Sequence, residues 1–324
     1  MLSIDYSVII RTIGKANEKY RLLLNSISNL KPSPKEVIVV LPEGYSIPEQ
    51  RLGYEKFYFS AKGMVAQRTY GLKVCKTKYA LFCDDDVNFP ENFVSMLYQP
   101  LIEGLGKVSV APLYSFLPAG KKGVFWDAIT AAAVPTVFNK KNYCTVLKGT
   151  GYSYNKHINK KIPYYYTQSA AGTCFFADTS ALKDIRFDEE TWIDLNGYAA
   201  MEDQTMFYKL YLTGNKTIVV SNAFYVHADA KTSTKNNKLM PKYCLGFNRR
   251  IFWQRFILEK QKNSLMKCFA TICFKYNKFG KLFFEWLSYK IKNNDKNCYL
   301  YMKKGYKDAV EYIKSEEYRS LPDF

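Results

Sequence analysis

The sequence predicts an α/β fold: a mostly parallel sheet flanked by helices, followed by a C-terminal helical extension. Three observations predict it. Short β-branched runs, apolar along their whole length, alternate with amphipathic helical segments, as strands buried on both faces require. Polar and acidic residues gather directly after the C-terminal ends of those runs. Beyond residue 230 the pattern turns helical and strongly basic.

Taken in order, Tyr6–Arg11 is the first strand-like run. Tyr20, Leu23, Leu24, Ile27 and Leu30 follow at spacings of three and four, which puts one apolar stripe on a helix ended by Pro32 and Pro34. Glu36–Leu41 and Lys56–Ser60 read as the second and third strands, and Met64–Val74 as a helix carrying Arg68. Tyr79–Cys83 is a fourth strand that runs straight into Asp84-Asp85-Asp86. A helix from Pro90 to about Leu97, a strand over Lys107–Ala111 and a strand over Gly172–Ala177 come next, with Thr179 or Ser180 as the expected cap of the following helix. Met201–Leu212 reads as a helix ending at Gly214, and Lys216–Val220 and Ala223–His227 as two more strands. Residues 112–168, rich in Gly, Lys and Tyr, read as loops and short elements over one end of the sheet. The expected division is therefore residues 1–230 as an α/β unit and residues 231–324 as a basic, aromatic-rich helical region.

Composition narrows the function classes. With 48% hydrophobic residues in a 324-residue chain, a sizeable core is expected and global disorder is not. Eight cysteines contain no CxxC pair and only two histidines are present, so a zinc site lacks ligands. The expectation is a cytoplasmic chain with free thiols and no signal peptide. The apolar runs fall short of the roughly 20 residues that a membrane-spanning helix needs. The formal net charge is +18, and residues 231–324 alone hold 21 Lys+Arg against 8 Asp+Glu.

The strongest chemical signal is the aspartate triplet. Ligands of open α/β sheets bind at the carboxyl ends of the strands. Clustered carboxylates there repel one another unless a cation joins them, and a hard divalent ion takes one or two carboxylates together with substrate phosphates. A second signal is Glu202-Asp203 at the start of a helix, where a carboxylate could take a proton from a hydroxyl, or merely favour the helix dipole. His227, ending an apolar strand, could complete the ion's shell.

The order of these pieces resembles family 2 glycosyltransferases of the Rossmann-like GT-A fold. The matching segments are Ser7-Val-Ile-Ile10 with Thr12, Lys62-Gly63, Ala66-Gln-Arg68 before Gly71, Asp84-Asp85-Asp86 as the DxD motif, Gly172–Ala177, Phe187–Glu189, Glu202-Asp203 as the ED motif, and Val226-His227. The resemblance spans roughly residues 5–230. It implies sugar transfer from a nucleoside-diphosphate sugar to an acceptor hydroxyl with inversion, in the making of surface polysaccharide, lipopolysaccharide or another glycoconjugate. Asp203 would be the general base and Glu202 would orient the acceptor. Asp86, Asp84 and His227 would hold Mg2+ or Mn2+. Thr12, Arg68, Asp84 and Asp85 would line the donor site. The family usually carries an aspartate after its second strand; this chain has Glu43 there, and Glu43 is the expected substitute for reading the base.

In the basic tail, Lys and Arg interleave with Phe and Trp at helical spacing from about Phe247 to Ile291. That pattern suits docking on an anionic membrane surface, hence a peripheral position on the inner face of the cell membrane and a glycan or lipid-linked acceptor. Two other readings are a nucleic-acid-binding module built on the tail and a nucleotidyltransferase. No recognisable nucleic-acid motif supports the first, and no nucleic-acid partner is expected. For the second, Arg11-Thr-Ile-Gly-Lys15 is a poor Gly-rich phosphate loop.

Overall fold

The computed structural model describes residues 4–113, 142–154, 158–228, 239–292 and 295–324. Strands β1 (Tyr6–Arg11), β2 (Glu36–Pro42), β3 (Lys56–Ser60) and β4 (Tyr79–Asp84) pair in parallel in the order β3-β2-β1-β4. Helix α1 (Glu18–Ser28) links β1 to β2, and α2 (Met64–Val74) links β3 to β4. The two-residue β5 (Val87–Asn88), α3 (Phe93–Ile102) and β6 (Val108–Val110) come next, followed by a small hairpin of β7 (Thr145–Val146) and β8 (Ser153–Tyr154). Then come β9 (Tyr164–Thr167), β10 (Cys174–Asp178), α4 (Thr179–Asp184), α5 (Glu202–Leu212), β11 (Thr217–Val220) and β12 (Val226–His227). The eight-stranded sheet runs β3-β2-β1-β4-β10-β6-β11-β9, with β10 and β9 antiparallel to their neighbours.

Alternation along each central strand fills both faces of the sheet. Ile9, Ile38, Val40 and Phe82 point into one apolar layer with Val65 and Leu72 of α2 and Met206 and Phe207 of α5. Val8, Ile10, Val39 and Leu81 point into the other, against Leu23 and Ile27 of α1 and Phe93 and Leu97 of α3. A strand with apolar residues on both faces is thereby covered twice, as its sequence requires.

The extension consists of α6 (Leu239–Trp253), a π-helical turn (Gln254–Leu258), α7 (Ser264–Lys292), α8 (Lys296–Tyr312) and α9 (Glu316–Arg319). Helices α6 and α8 touch backbone to backbone. A methyl at Gly246 would run into the Met302 carbonyl, and one at Gly305 would sit 3.0 Å from the Phe247 nitrogen while striking the Tyr243 carbonyl. The extension shares the α2–α5 core layer, to which Phe252, Phe256 and Tyr306 belong. Fully buried Asn248 donates to the carbonyls of Ile193 (3.1 Å) and Ala200 (2.8 Å), which ties α6 to the segment leading into α5.

Three local expectations change. The strand expected over Ala223–His227 shrinks to Val226–His227, which pairs with β5 rather than the main sheet. Asp178, not Thr179 or Ser180, caps α4, its carboxylate accepting from the Ser180 backbone N–H at 3.0 Å. The third helix starts at Phe93, not at Pro90, and runs to Ile102. Within the stretch expected to hold loops and short elements, the β-prone Tyr164-Tyr-Tyr-Thr167 is one such element and joins the sheet edge beside β11. The boundary expected at 230–231 lies outside the described residues.

Candidate active site

The carboxyl edge of the parallel strands gathers most of the residues singled out in the sequence. Arg11 and Asp84 end neighbouring strands and are register partners. Their side chains form a two-pronged ion pair: Arg11 Nε donates to one oxygen of Asp84 and Nη2 to the other at 3.1 Å. Arg11 Nη1 also lies 3.5 Å from Glu202. Arg68 pairs with the other Glu202 oxygen through Nη1 and donates through Nη2 to the Gly172 carbonyl at 2.8 Å. Two buried guanidiniums therefore join β1, β4, α2, α5 and the turn before β10 around one carboxylate.

Met201 sits in the left-handed region (φ 70°) immediately before α5. This conformation is costly for a residue with a side chain and concentrates at functional sites. It starts the helix at Glu202-Asp203. The two carboxylates then diverge in acidity. Burial raises Glu202, but Arg68 and Arg11 overcome it and hold its pKa at about 2. Burial and the adjacent Glu202 charge push Asp203 well above the usual carboxylate range, against the pull of the same arginines. Glu202 is thus held ionised, while Asp203 binds its proton more tightly than an ordinary carboxylate.

Asp203 also closes on Gly172. A Cβ there would collide with Asp203 Oδ1 and sit 3.0 Å from Arg68 Nη2, so the turn before β10 needs a residue without a side chain.

Asp85 points to the other side of the edge. It accepts from the Thr12 hydroxyl at 2.5 Å, and that hydroxyl in turn accepts from the Gly14 backbone N–H at 2.9 Å. Burial raises Asp85 to about 7, with Asp86 and Asp84 adding to the shift and Thr12 opposing it. Asp86 lies 3.2 Å from His227 Nε2, and its carbonyl accepts from the Ala228 N–H at 2.9 Å. The β5–β12 pairing thus brings the triplet and the late histidine together across 140 residues of sequence. Glu43 is exposed at the turn after β2, its N–H donating to the Ser60 carbonyl at 2.9 Å.

Among the described residues, no group of three or more His, Cys, Asp or Glu is arranged to hold a metal. Asp84 faces Arg11, which leaves Asp86 and His227 as the pair side by side. That donor set still fits a hard divalent ion, because Mg2+-type sites take one or two protein ligands and draw the rest from substrate phosphates and water.

Three residues of the site were not singled out in the sequence. Arg11 bridges Asp84 and Glu202. Gln67 donates to the carbonyls of Thr12 (3.0 Å) and Val40 (2.9 Å), fixing the turn after β1. Asp194 accepts from the N–H groups of Met64 (2.8 Å), Val65 (3.0 Å) and Ala66 (3.2 Å), capping α2 from 130 residues away. For Arg11 a signal existed: a cation at the carboxyl end of a buried strand, in the same position as the acidic triplet on its neighbour. A groove of about 730 Å3 runs beside α2, lined by Lys62, Lys73, Lys183, Asp188 and Asp194.

The architecture is of the GT-A type, a mostly parallel eight-stranded sheet flanked by helices with a helical C-terminal region. Two sets of solved structures carry the likeness. TarS from S. aureus, residues 1–349, superposes with a TM-score of 0.52 at 16% identity over 95% of this chain and 81% of that one. The same protein in complex with UDP-GlcNAc gives 0.50 at 15% identity over 98% and 82%. The mannosyltransferase PcManGT from Pyrobaculum calidifontis, in complex with GDP-Man and Mn2+, gives 0.52 at 11% identity over 99% and 83%. At such identities the likeness speaks for the fold. No protein-family model and no curated protein sequence matches the chain.

Proposed function

We propose that this protein is a divalent-metal-dependent, inverting glycosyltransferase of the family 2 type that moves a sugar from a nucleoside-diphosphate sugar to a hydroxyl of a glycan or lipid-linked acceptor. The observation that carries the reading is the convergence of Asp84–Asp86, Glu202-Asp203 and His227, scattered over 144 positions of sequence, on one sheet edge bridged by Arg11 and Arg68. The UDP-GlcNAc and GDP-Man bound by the two structural neighbours support a nucleotide-sugar donor, and the Mn2+ of the second supports a metal.

In this mechanism Asp203 takes the acceptor hydroxyl proton as that oxygen attacks the anomeric carbon. The bond from that carbon to the diphosphate breaks on the opposite face. Glu202, kept ionised by two arginines, holds Asp203's affinity for the proton high and leaves the carboxylate pair with divided tasks. Thr12, Arg68 and Asp85 line the donor side, and Glu43 reads the base. A divalent ion held by Asp86 and His227 would supply electrostatic stabilisation of the departing nucleoside diphosphate. The biosynthetic setting we assign is surface polysaccharide, lipopolysaccharide or a related glycoconjugate, made at the cytoplasmic face.

A panel of UDP- and GDP-sugars, scored by thermal stabilisation and product release with and without chelator, tests this reading. Donor binding should require metal and disappear in Asp86→Ala. Asp203→Asn should bind donor normally while transfer falls by roughly two to four orders of magnitude, the usual worth of a general base. Near-normal turnover in Asp203→Asn would remove it from the role.

A further inference from the structure

Helix α7 carries an apolar stripe that the described residues leave largely exposed, Gly149 meeting it at Phe269. Leu265, Phe269, Ile272, Tyr276, Phe279 and Phe283, continued by Trp286, recur at alternating spacings of four and three, which aligns them along one side of the helix. All seven are exposed, Leu265 to 78%, Phe279 to 67% and Ile272 to 61%. The opposite side is anchored to the body: Phe274 stacks on Trp253 with ring centres 4.3 Å apart, Arg249 donates to Asn277 at 2.6 Å, and Lys242 pairs with Glu285 at 2.8 Å. The stripe is therefore not a face awaiting the rest of this helical bundle. Single exposed apolar residues are ordinary, but a continuous row of this length marks an interaction site.

Charge selects the occupant. Residues 264–292 contain six lysines and one acidic residue, Glu285, which Lys242 already engages. Lys267, Lys275 and Lys290 are exposed on α7, as is Lys262 just before it. A second copy laid against the stripe would bring like charges together. A negatively charged lipid surface meets both features at once, the aromatic rings entering the acyl boundary and the lysines meeting headgroups. The helix lies along such a surface rather than crossing it. The stripe spans ~32 Å at 1.5 Å per residue, and no described helix is long and apolar enough to cross a membrane.

We propose that α7 docks this chain in the plane of an anionic bilayer through the Leu265–Trp286 stripe. The docked helix stands one loop away from the site. Gly149 packs on Cys273 and Phe269 of α7, and its carbonyl accepts from Trp253 Nε1 at 2.7 Å. Two residues on, the Gly151 carbonyl accepts from Gln204, the neighbour of Asp203, at 2.7 Å. Taken with the proposed function, on which this last step rests, the geometry brings a membrane-resident acceptor to the side of the site where Asp203 sits.

The test is vesicle co-flotation of the full chain, read without any activity. Phosphatidylcholine vesicles containing phosphatidylglycerol should carry the protein, and pure phosphatidylcholine vesicles should carry much less. The exposed triple change Phe269→Gln, Ile272→Gln, Phe279→Gln should lower partitioning at least about tenfold, with the melting temperature recorded to show that the fold holds. The triple Lys267→Gln, Lys275→Gln, Lys290→Gln, at three exposed positions, should lower it by roughly a hundredfold on anionic vesicles, and added salt should reproduce that loss. Equal partitioning of both triples and the parent protein would overturn the proposal. So would light scattering that shows a dimer dissociated by the apolar triple while the parent ignores anionic vesicles. Vesicle binding that persists in a protein without donor hydrolysis would sink the enzymatic reading and leave this one standing.

Discussion

Asp85 lets the electrostatics of the acidic edge be tested without substrate. Its carboxyl is buried and its pKa stands at about 7, against 3.8 for the free side chain. An acid raised on folding binds its proton more tightly in the folded state, so its effect favours the fold at low pH and is lost as pH rises above 3.8 toward 7. With 1.36 kcal/mol for each pH unit of difference, the cost to the folded state is under about 1 kcal/mol at pH 4, about 2 at pH 5 and about 4 at pH 8. Asp85→Asn keeps an oxygen for the Thr12 hydroxyl and removes the charge. In urea melts with chelator present, the variant should match wild type near pH 4 and exceed it by up to about 4 kcal/mol at pH 8. The advantage should grow between those limits and level off above pH 7. A variant less stable than wild type at pH 8, or an advantage that does not change between pH 5 and 8, refutes the assignment of burial as the dominant cause. Gain of stability on loss of a site residue is the signature expected where charge is held together for a ligand.

Two further outcomes follow from the packing. Gly172→Ala should leave the melting temperature within a few degrees yet cut transfer by about tenfold or more, because the added methyl must displace Asp203 or Arg68 and a shift of about 1 Å at a catalytic group is that costly; unchanged kinetics would show the collision to be absorbed elsewhere. Glu190→Gln should destabilise the fold by about 3–5 kcal/mol, since Glu190 is the buried counter-ion of Lys209 (2.6 Å) and Arg255 (2.9 Å) and also accepts from Trp192 at 2.7 Å. Adding Lys209→Met should recover part of that loss, and a double variant as unstable as the sum of its singles would show the two groups to be uncoupled.

How far the sequence could be read depended on whether the determining contact was local. The parallel strands were legible because Val8–Ile10 and Val37–Leu41 carry their signature within a few residues: apolar on both faces, hence covered on both faces. The acidic triplet was legible for the same reason, since its position after β4 fixes the sheet edge on which it lies. Tyr164–Thr167 was not, because a four-residue edge strand gets its ladder from Thr217–Val220, 50 residues on. Asp194 was illegible in principle: it acts as the N-terminal cap of α2, the role in which sequence reading looks only to the residue immediately before the helix. That residue is Gly63, whose extended backbone and missing side chain leave the room that Asp194 fills.

Arg11 shows where the two kinds of information meet. Its place at the end of β1 follows from local pattern, and its partner at the end of β4 follows from the β1–β4 pairing that parallel topology imposes. The second partner, Glu202, requires the whole fold. Because Arg11 holds both oxygens of Asp84, the proposed cation would rest on Asp86 and His227, and Asp84 would link the end of β4 to Glu202 through Arg11. A three-ligand metal set and a two-ligand set with an arginine-clamped aspartate differ in a measurable way. In the second, Asp84→Asn weakens the Arg11–Glu202 network and raises the melting penalty while metal-dependent donor binding persists; in the first, it abolishes donor binding outright. The second outcome is the one expected, since Arg11 already donates to both oxygens of Asp84 and a cation bound there would have to share that carboxylate with it.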